Sequence, residues 1–428
     1  MTQRAIVLFL ALFAAIFVVG LALGAANISL LLLQAAAYAL IAVGLNIQWG
    51  YGGLFNFGIM GFIMLGGYAV TFVSFPVNQV FWQSEGPMML GRALLAFAAG
   101  ALLVIGARRL DRFGITGRLR SAAIVIAWIA AYIVYRSQID PAAAYIERNG
   151  GGWIGGLGLH PLLGWAFGGV LAAGVAYVIG KICLGLRTDY LAIATIGISE
   201  ILRALLKNAD WLTRGTLTVS PIPWPTPLPQ DMRAMGVAAG SDFIYARVVL
   251  LAVLLVVLVG IFVLVQRAYG GPWGRMMRAI RDNHVAAASM GKNVTARQLE
   301  IFILGSVLIG IGGAILVTIG QIYDPGAFQP INHTFIFWVV VIVGGAGNNY
   351  GVVLGAILIY LAWVISDPVA QAVFRTISSW TSQLGWGAIP EIEVRASQMR
   401  VLVLGLVITA ALRWAPQGLI PEVVRREK

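Results

Sequence analysis

Apolar runs of about 18 residues or more recur along this chain, each long enough to cross about 30 Å of hydrocarbon. Read by hydropathy, they fall at 5–26, 28–48, 90–106, 120–136, 161–182, 189–206, 243–265, 299–320 and 398–414. Two more stretches, 51–75 and the pair 331–346 and 350–366, are apolar but punctuated by glycine. The pattern predicts an all-α polytopic membrane protein, one transmembrane domain over residues 1–428 with 10–12 transmembrane segments and interrupted Gly-rich helices. The spans 90–106 and 120–136 read as a two-span addition over 90–136, which leaves the orientation of the later spans unchanged because two crossings cancel. The first run, Ala5 to Ala26, exceeds the 7–15-residue core of a signal peptide and reads as a span whose start is held by Arg4.

The polar stretches between spans are of different kinds. Residues 207–242 and 367–397 read as external loops. The first contains "SPIPWPTPLP", which forbids regular helix and favours extended backbone, as a connector or as part of a docking surface. In the second, Asp367 to Val394 predicts a helix lying along the interface, with Phe374, Trp380 and Trp386 at that depth. Residues 266–298 form a basic loop on the other side.

Composition and charge narrow the class. Of 428 residues, 60% are hydrophobic and only 11% charged, less than half the charged share of a soluble domain. The net charge of +12 does not call for nucleic acid, because the excess sits in a few loops. One loop holds Arg108, Arg109, Arg112, Arg118 and Arg120 against Asp111. Another holds Arg267, Arg275, Arg278, Arg281, Lys292 and Arg297 against Asp282, and the tail ends in Arg425, Arg426 and Lys428 against Glu422 and Glu427. All three fall on one side when the spans alternate, and the opposite loops are near balance. The positive-inside bias therefore predicts both termini in the cytoplasm. A lone cysteine, Cys183, excludes an internal disulfide and reads as a small buried residue. Three histidines without a cysteine cluster give no metal constellation, and no cofactor is expected on this chain. His160 and His333 read as interfacial. Neither H-E-x-x-H nor G-x-S-x-G occurs, so intramembrane enzymology has no support.

"GRMMRAIRDNHVAAASMG", Gly274 to Gly291, is basic, helix-prone and too polar to cross a bilayer. As one helix it places Arg275, Arg278, Arg281 and Asp282 on much of one side, with small residues at Ala286 and Ala287 and a terminating Gly291. A solvated loop that fixes topology explains the arginines. A helix that seats in a groove of another protein also explains the small residues.

Four stretches together resemble the inner-membrane permease subunits of branched-chain amino-acid ABC importers, the LivM type. They are "GRMMRAIRDNHVAAASMGKNV" at Gly274–Val294, "LRTDYLAIATIGISEILRALLKN" at Leu186–Asn208, "GGLFNFGIMGFIMLGGYAV" at Gly52–Val70 and "VVVIVGGAGNNYGVVLGA" at Val339–Ala356. They stand in the family's order, over roughly residues 28–75 and 160–366. The resemblance implies a bacterial inner-membrane subunit that carries no covalent chemistry. It implies a path shared with a second related permease subunit, two cytoplasmic ATPases that hold ATP-Mg and grip coupling helices, and an external solute-binding protein. The sequence agrees by omission: "MGKNV" at Met290–Val294 lacks the leading glycine and the Ser or Thr of a phosphate loop. The coupling residues on this reading are Arg275, Arg278, Arg281, Asp282, Ala286, Ala287 and Gly291. Departures from the family pattern fall at Ile59, Thr188, His284, Asn348 and Asn349.

Polar groups at membrane depth are costly and so are candidates for function. Asn46, Gln48, Asn56, Asn348 and Asn349 flank the glycine breaks, and Thr195, Ser199, Glu200 and Arg203 lie on one helix. Glu200 and Arg203 read as a neutralising pair near the outer mouth, as a gate, or as a reader of a zwitterion. Asp189 reads as a helix N-terminal cap. The glycines serve close packing or, as interrupted helices near the midplane, expose backbone to a solute. An amide-and-hydroxyl lining suits a small polar solute, with urea or short amides as rivals to amino acids. The competing mechanism is a self-contained secondary transporter or channel with Glu200 as a proton-coupling carboxylate.

Overall fold

Apolar helices that no longer find water must satisfy their backbone internally, and the computed structural model accordingly builds this chain from helices. It describes residues 3–422 apart from 115, 386, 388 and 389; of residues 22, 23, 113, 331 and 332 only the backbone is described. Trp386 and the terminal Arg425, Arg426 and Lys428 thus lie outside the described residues. Among those described, β-structure is confined to isolated bridges in loops.

The principal helices are α1 (Gln3–Leu23), α2 (Ala25–Asn46), α3 (Ile59–Ser74), α4 (Gly86–Arg108), α5 (Gly117–Asn149), α6 (Pro161–Cys183) and α7 (Thr188–Asn208). After them come α8 (Asp242–Gly270), α9 (Pro272–Asp282), α10 (His284–Ser289), α11 (Val294–Gly320), α12 (Ile336–Gly344), α13 (Asn349–Gln383) and α14 (Ile392–Trp414). Nine of the described helices are long and apolar enough to cross a membrane. α3 and the 333–344 segment are apolar but shorter. α7 has the length, but Asp189, Glu200, Arg203 and Lys207 make it amphipathic.

The core gathers around α11, which packs on α2, α3 and α6, while α13 packs on α2, α12 and α14. Glycine makes the central contact. A Cβ on Gly66 of α3 would run into the Gly310 carbonyl of α11. One on Gly310 would lie 2.6 Å from the Ala172 Cβ and 2.7 Å from the Gly168 carbonyl of α6. The three helices therefore meet backbone to backbone, as close packing in lipid requires.

Several expectations need correction. The single helix expected over 274–291 is two. The chain breaks at Asn283, which is extended (φ −155°, ψ 96°), and its side chain accepts from the Ala286 N–H at 3.0 Å to start α10. The loop drawn at 266–298 is shorter, since α8 runs to Gly270 and α11 begins at Val294. The external loop at 367–397 is largely helix: α13 continues through Pro368 to Gln383 without a break. Asp367 is tolerated inside it because Arg400 of α14 pairs with its carboxylate at 3.2 Å. The span read at 120–136 extends from Gly117 to Asn149, its Arg136 and Asp140 paired at 3.0 Å. The Gly-rich 51–75 segment is interrupted as read, its helix beginning at Ile59. Asp189 does not cap α7: Arg187 is the cap residue and offers no side-chain bond, so Asp189 acts on the first turn only through its charge.

The proline-rich loop is stitched to its neighbours. Val219 and Tyr323 exchange both backbone bonds, at 2.9 and 3.0 Å, and the Ile222 N–H reaches the Gln321 carbonyl at 3.0 Å. This ties 209–241 to the 321–330 loop.

Candidate functional site

Two helices carry π-helical turns. α2 ends in a π-helical turn, Ile47–Tyr51, and α12 is preceded by another at Ile331–Phe335. Side-chain amides bond around the first turn and across to the 345–349 break. The Asn46 Nδ2 donates to Asn349 Oδ1 at 2.9 Å, and the Gly347 N–H donates to Asn46 Oδ1 at 2.8 Å. The Asn349 Nδ2 continues to Gln266 Oε1 of α8 at 3.0 Å. On the other side of α2, the Gln48 Nε2 donates to the Phe302 carbonyl (2.9 Å) and to Ser306 Oγ (3.0 Å) of α11. The Asn56 Nδ2 donates to Gln48 Oε1 at 2.8 Å, and Asn56 Oδ1 accepts from the Gly58 N–H at 2.8 Å. Asn46, Gln48, Asn56, Ser306 and Asn349 are all at most 1% exposed. These amides therefore brace irregular backbone, and Asn349 among them also borders a cavity. An unsatisfied buried amide costs about 1–3 kcal/mol, so the network locks the two breaks to each other.

The two breaks meet each other beside α9. A Cβ on Gly50 would collide with the Asn46 amide and the Gly347 N–H, which keeps 46–50 and 345–349 in contact. Above this junction, Trp338 of α12 stacks on Phe57 (4.5 Å between centroids) and donates to the Asn56 carbonyl at 3.2 Å. Trp49 and Phe55 complete the aromatic cluster.

The C-terminal strap, 415–422, closes the second break. The Leu419 and Ile420 N–H groups donate to the Val343 and Gly344 carbonyls at 2.8 and 3.0 Å. The Asn348 Nδ2 donates to the Pro421 carbonyl at 3.0 Å, while Asn348 Oδ1 caps α13. Asn348 thus holds the strap and the helix start at once.

One residue joins the strap to α9. Arg281 Nη1 donates to the Gly50 carbonyl (2.5 Å) and to Glu422 Oε2 (2.9 Å), and its Nε reaches Asp282 Oδ1 at 3.0 Å. Burial works against the guanidinium charge, but the Glu422 and Asp282 carboxylates overcome it and hold its pKa above the usual value. Gly53, at φ +67°, lets the chain pass under this side chain: a Cβ there would sit 3.2 Å from Arg281 Cγ. Tyr51 and Tyr269 stack at 3.6 Å, and Trp273 leans on Tyr269, fixing where α9 begins. A cavity of about 410 Å³ opens beside this junction, lined by Tyr51, Gln266, Arg278, Asn348, Asn349 and Glu422 among others.

The basic segment thus has two faces. Arg281 turns inward, and Ala287 is 8% exposed and packed against the body. Arg275, Asp282, Ala286 and Gly291 are exposed, as are Val285 and Met290, while Arg278 faces the cavity. Gly291, at φ +75°, ends α10 as expected.

α7 lies apart from this junction. Thr195 and Ser199 are 2% exposed and face α3, where the Thr195 Oγ1 accepts from the Phe57 N–H at 3.0 Å. Glu200 and Arg203 pair at 3.4 Å, and the Arg203 Nη2 donates to the Gly326 carbonyl of the 321–330 loop at 3.2 Å. The structure therefore brings Asn46, Gln48, Asn56 and Asn349 together with Arg281. It sets Glu200 and Arg203 by a different loop. Sequence reasoning missed Gln266, Ser306, Trp338 and Glu422. Ser306 carried a signal, being a polar group in the otherwise apolar span 299–320, whereas Gln266 fell just outside the span drawn to 265. Among the described residues no cluster of His, Cys, Asp or Glu could hold a metal ion.

The family model described as the permease component of branched-chain amino acid transport systems matches residues 27–141 and 100–412. The chain belongs to this family. The LivM high-affinity branched-chain amino acid permease of Salmonella typhimurium is 29% identical over 62% of this chain and 58% of its own length. That of Escherichia coli is 29% identical over 59% and 56%. The chain thus matches little more than half the length of these two relatives. A probable LivM of Methanocaldococcus jannaschii is 25% identical over 92% of this chain and 93% of its own. No solved structure matches. A transport permease of this family is a multi-pass membrane protein, as its helices require.

Proposed function

We propose that this permease is the membrane subunit of an ATP-driven importer for branched-chain or other small amino acids. It pairs with a second related permease subunit, two cytoplasmic ATPases that bind ATP-Mg, and an external solute-binding protein. It lies in the bacterial inner membrane with both termini in the cytoplasm, and it performs no covalent chemistry itself. One observation carries the reading. α9 and α10 present an outer face at Arg275, Val285, Ala286 and Met290, while Arg281 on the inner face is tied to both helix breaks.

On this reading the ATPases close and shift α9. Arg281 carries that shift to the Gly50 carbonyl, and so to the end of α2, and through Glu422 to the strap on the α12–α13 break. Because the amide network locks these breaks to each other, they move as a unit with two arrangements and not as separate loops. Arg203, bonded to the 321–330 loop and paired with Glu200, acts with it at the outer mouth.

The test is co-purification of the chain with its ATPase subunits. Stable complex by the wild type, lost on combining Ala286→Trp with Met290→Asp, supports docking at this face. A complex that survives both substitutions places the docking surface elsewhere.

A further inference from the structure

We propose that the α4–α5 hairpin carries a binding site for an anionic phospholipid, with one acyl chain in the groove between the helices and the phosphate on Arg108. The hairpin takes no part in the junction described above. α4 and α5 pack chiefly on each other, their far end fastened where Ile146 joins Phe81 and Ile154. Between them runs a groove of about 340 Å³ lined by Phe97, Ala101, Val104, Trp128 and Tyr132, with Gly100 resting on Ala131 as its floor. Arg108 closes one end and is the one charged group on its walls.

Length and charge both fit a lipid. From Phe97 to Arg108 the groove follows eleven residues of helix, about 16 Å, close to half of the roughly 30 Å hydrocarbon core. One leaflet's acyl chain spans that depth. The surrounding surface is apolar and open, with Leu95 and Leu102 72% and 68% exposed, so the medium bathing the groove is lipid. At the arginine end, the loop places five arginines against Asp111. Arg120 takes that carboxylate at 3.5 Å and donates to the Arg108 carbonyl at 2.6 Å. Among the described residues no carboxylate side chain is paired with Arg108, Arg109, Arg112 or Arg118, and cations at the end of an apolar span attract an anionic leaflet. A topological role accounts for the number of arginines. It does not account for an apolar groove that ends on one of them.

Native mass spectrometry of the delipidated chain titrated with phosphatidylglycerol or phosphatidylcholine of equal acyl chains tests this. Phosphatidylglycerol should bind one molecule per chain at concentrations where phosphatidylcholine dissociates. Removing the cation at the end of the groove in R108Q should weaken it roughly fivefold. A101W, which fills the groove and leaves the charge, should weaken both lipids, and soluble glycerol phosphate should not compete. Equal retention of the two lipids by the wild type would overturn the proposal. So would phosphatidylglycerol binding that survives R108Q and A101W, or that falls as far in R109Q.

Discussion

Replacing Arg281 by Gln removes a charge from the point where α9 meets the two breaks. The Nη1 group alone makes two bonds, to a buried backbone carbonyl at 2.5 Å and to a carboxylate at 2.9 Å. Charge-assisted hydrogen bonds contribute about 1.5–3 kcal/mol each. Arg281 and Glu422 are 22% and 18% exposed, so the ion-pair share must be discounted for solvent. A total of about 3 kcal/mol remains, which raises the population of a detached α9 roughly 100-fold. The outward face at Arg275, Val285 and Met290 is untouched. In proteoliposomes holding the full importer, R281Q should therefore still bind the ATPases and hydrolyse ATP, while solute taken up per ATP falls about tenfold. Uptake per ATP equal to the wild type would refute the relay. Loss of ATPase binding would also refute it, because Arg281 would then be touching the partner.

Gln48→Leu leaves the Asn56 amide without its acceptor in a fully buried site and should destabilise the chain by about 2–4 kcal/mol, read as a lower midpoint of thermal unfolding in detergent. Gly310→Leu puts a side chain where the Gly168 carbonyl and Ala172 lie, so it should abolish folded, monodisperse protein, whereas Gly405→Leu, where a Cβ meets nothing within 4 Å, should not. Glu200→Ala should leave assembly intact and reduce uptake, since Arg203 would lose its carboxylate but keep the Gly326 carbonyl; unchanged uptake would make the pair purely structural.

The sequence made the long spans legible because lipid imposes one rule on all of them: about twenty apolar residues per crossing. It failed where a tertiary partner overrides a local signal. Asp367 and Pro368 look like the end of a helix, but Arg400, about thirty residues on, neutralises the aspartate and α13 continues. The break at Asn283 was written locally, since Asn is a favoured helix N-cap, yet the flanking alanines argued for continuity. Asn46, Gln48, Asn56 and Asn349 stood out as costly in lipid. That they satisfy one another, about 300 residues apart in chain for Asn46 and Asn349, could not be read from spacing. Nor could the inward turn of Arg281, since helical periodicity places it beside Arg275 and Arg278 and says nothing of a strap arriving from residue 422.

The account rests on a gate that this chain builds and another subunit powers. The direct test is solute accumulation in proteoliposomes reconstituted with the permease pair, with and without the ATPases, each under ATP and under an imposed proton gradient. Accumulation should appear only with the ATPases, ATP and the binding protein together. Accumulation by this chain alone, driven by the gradient, would contradict it.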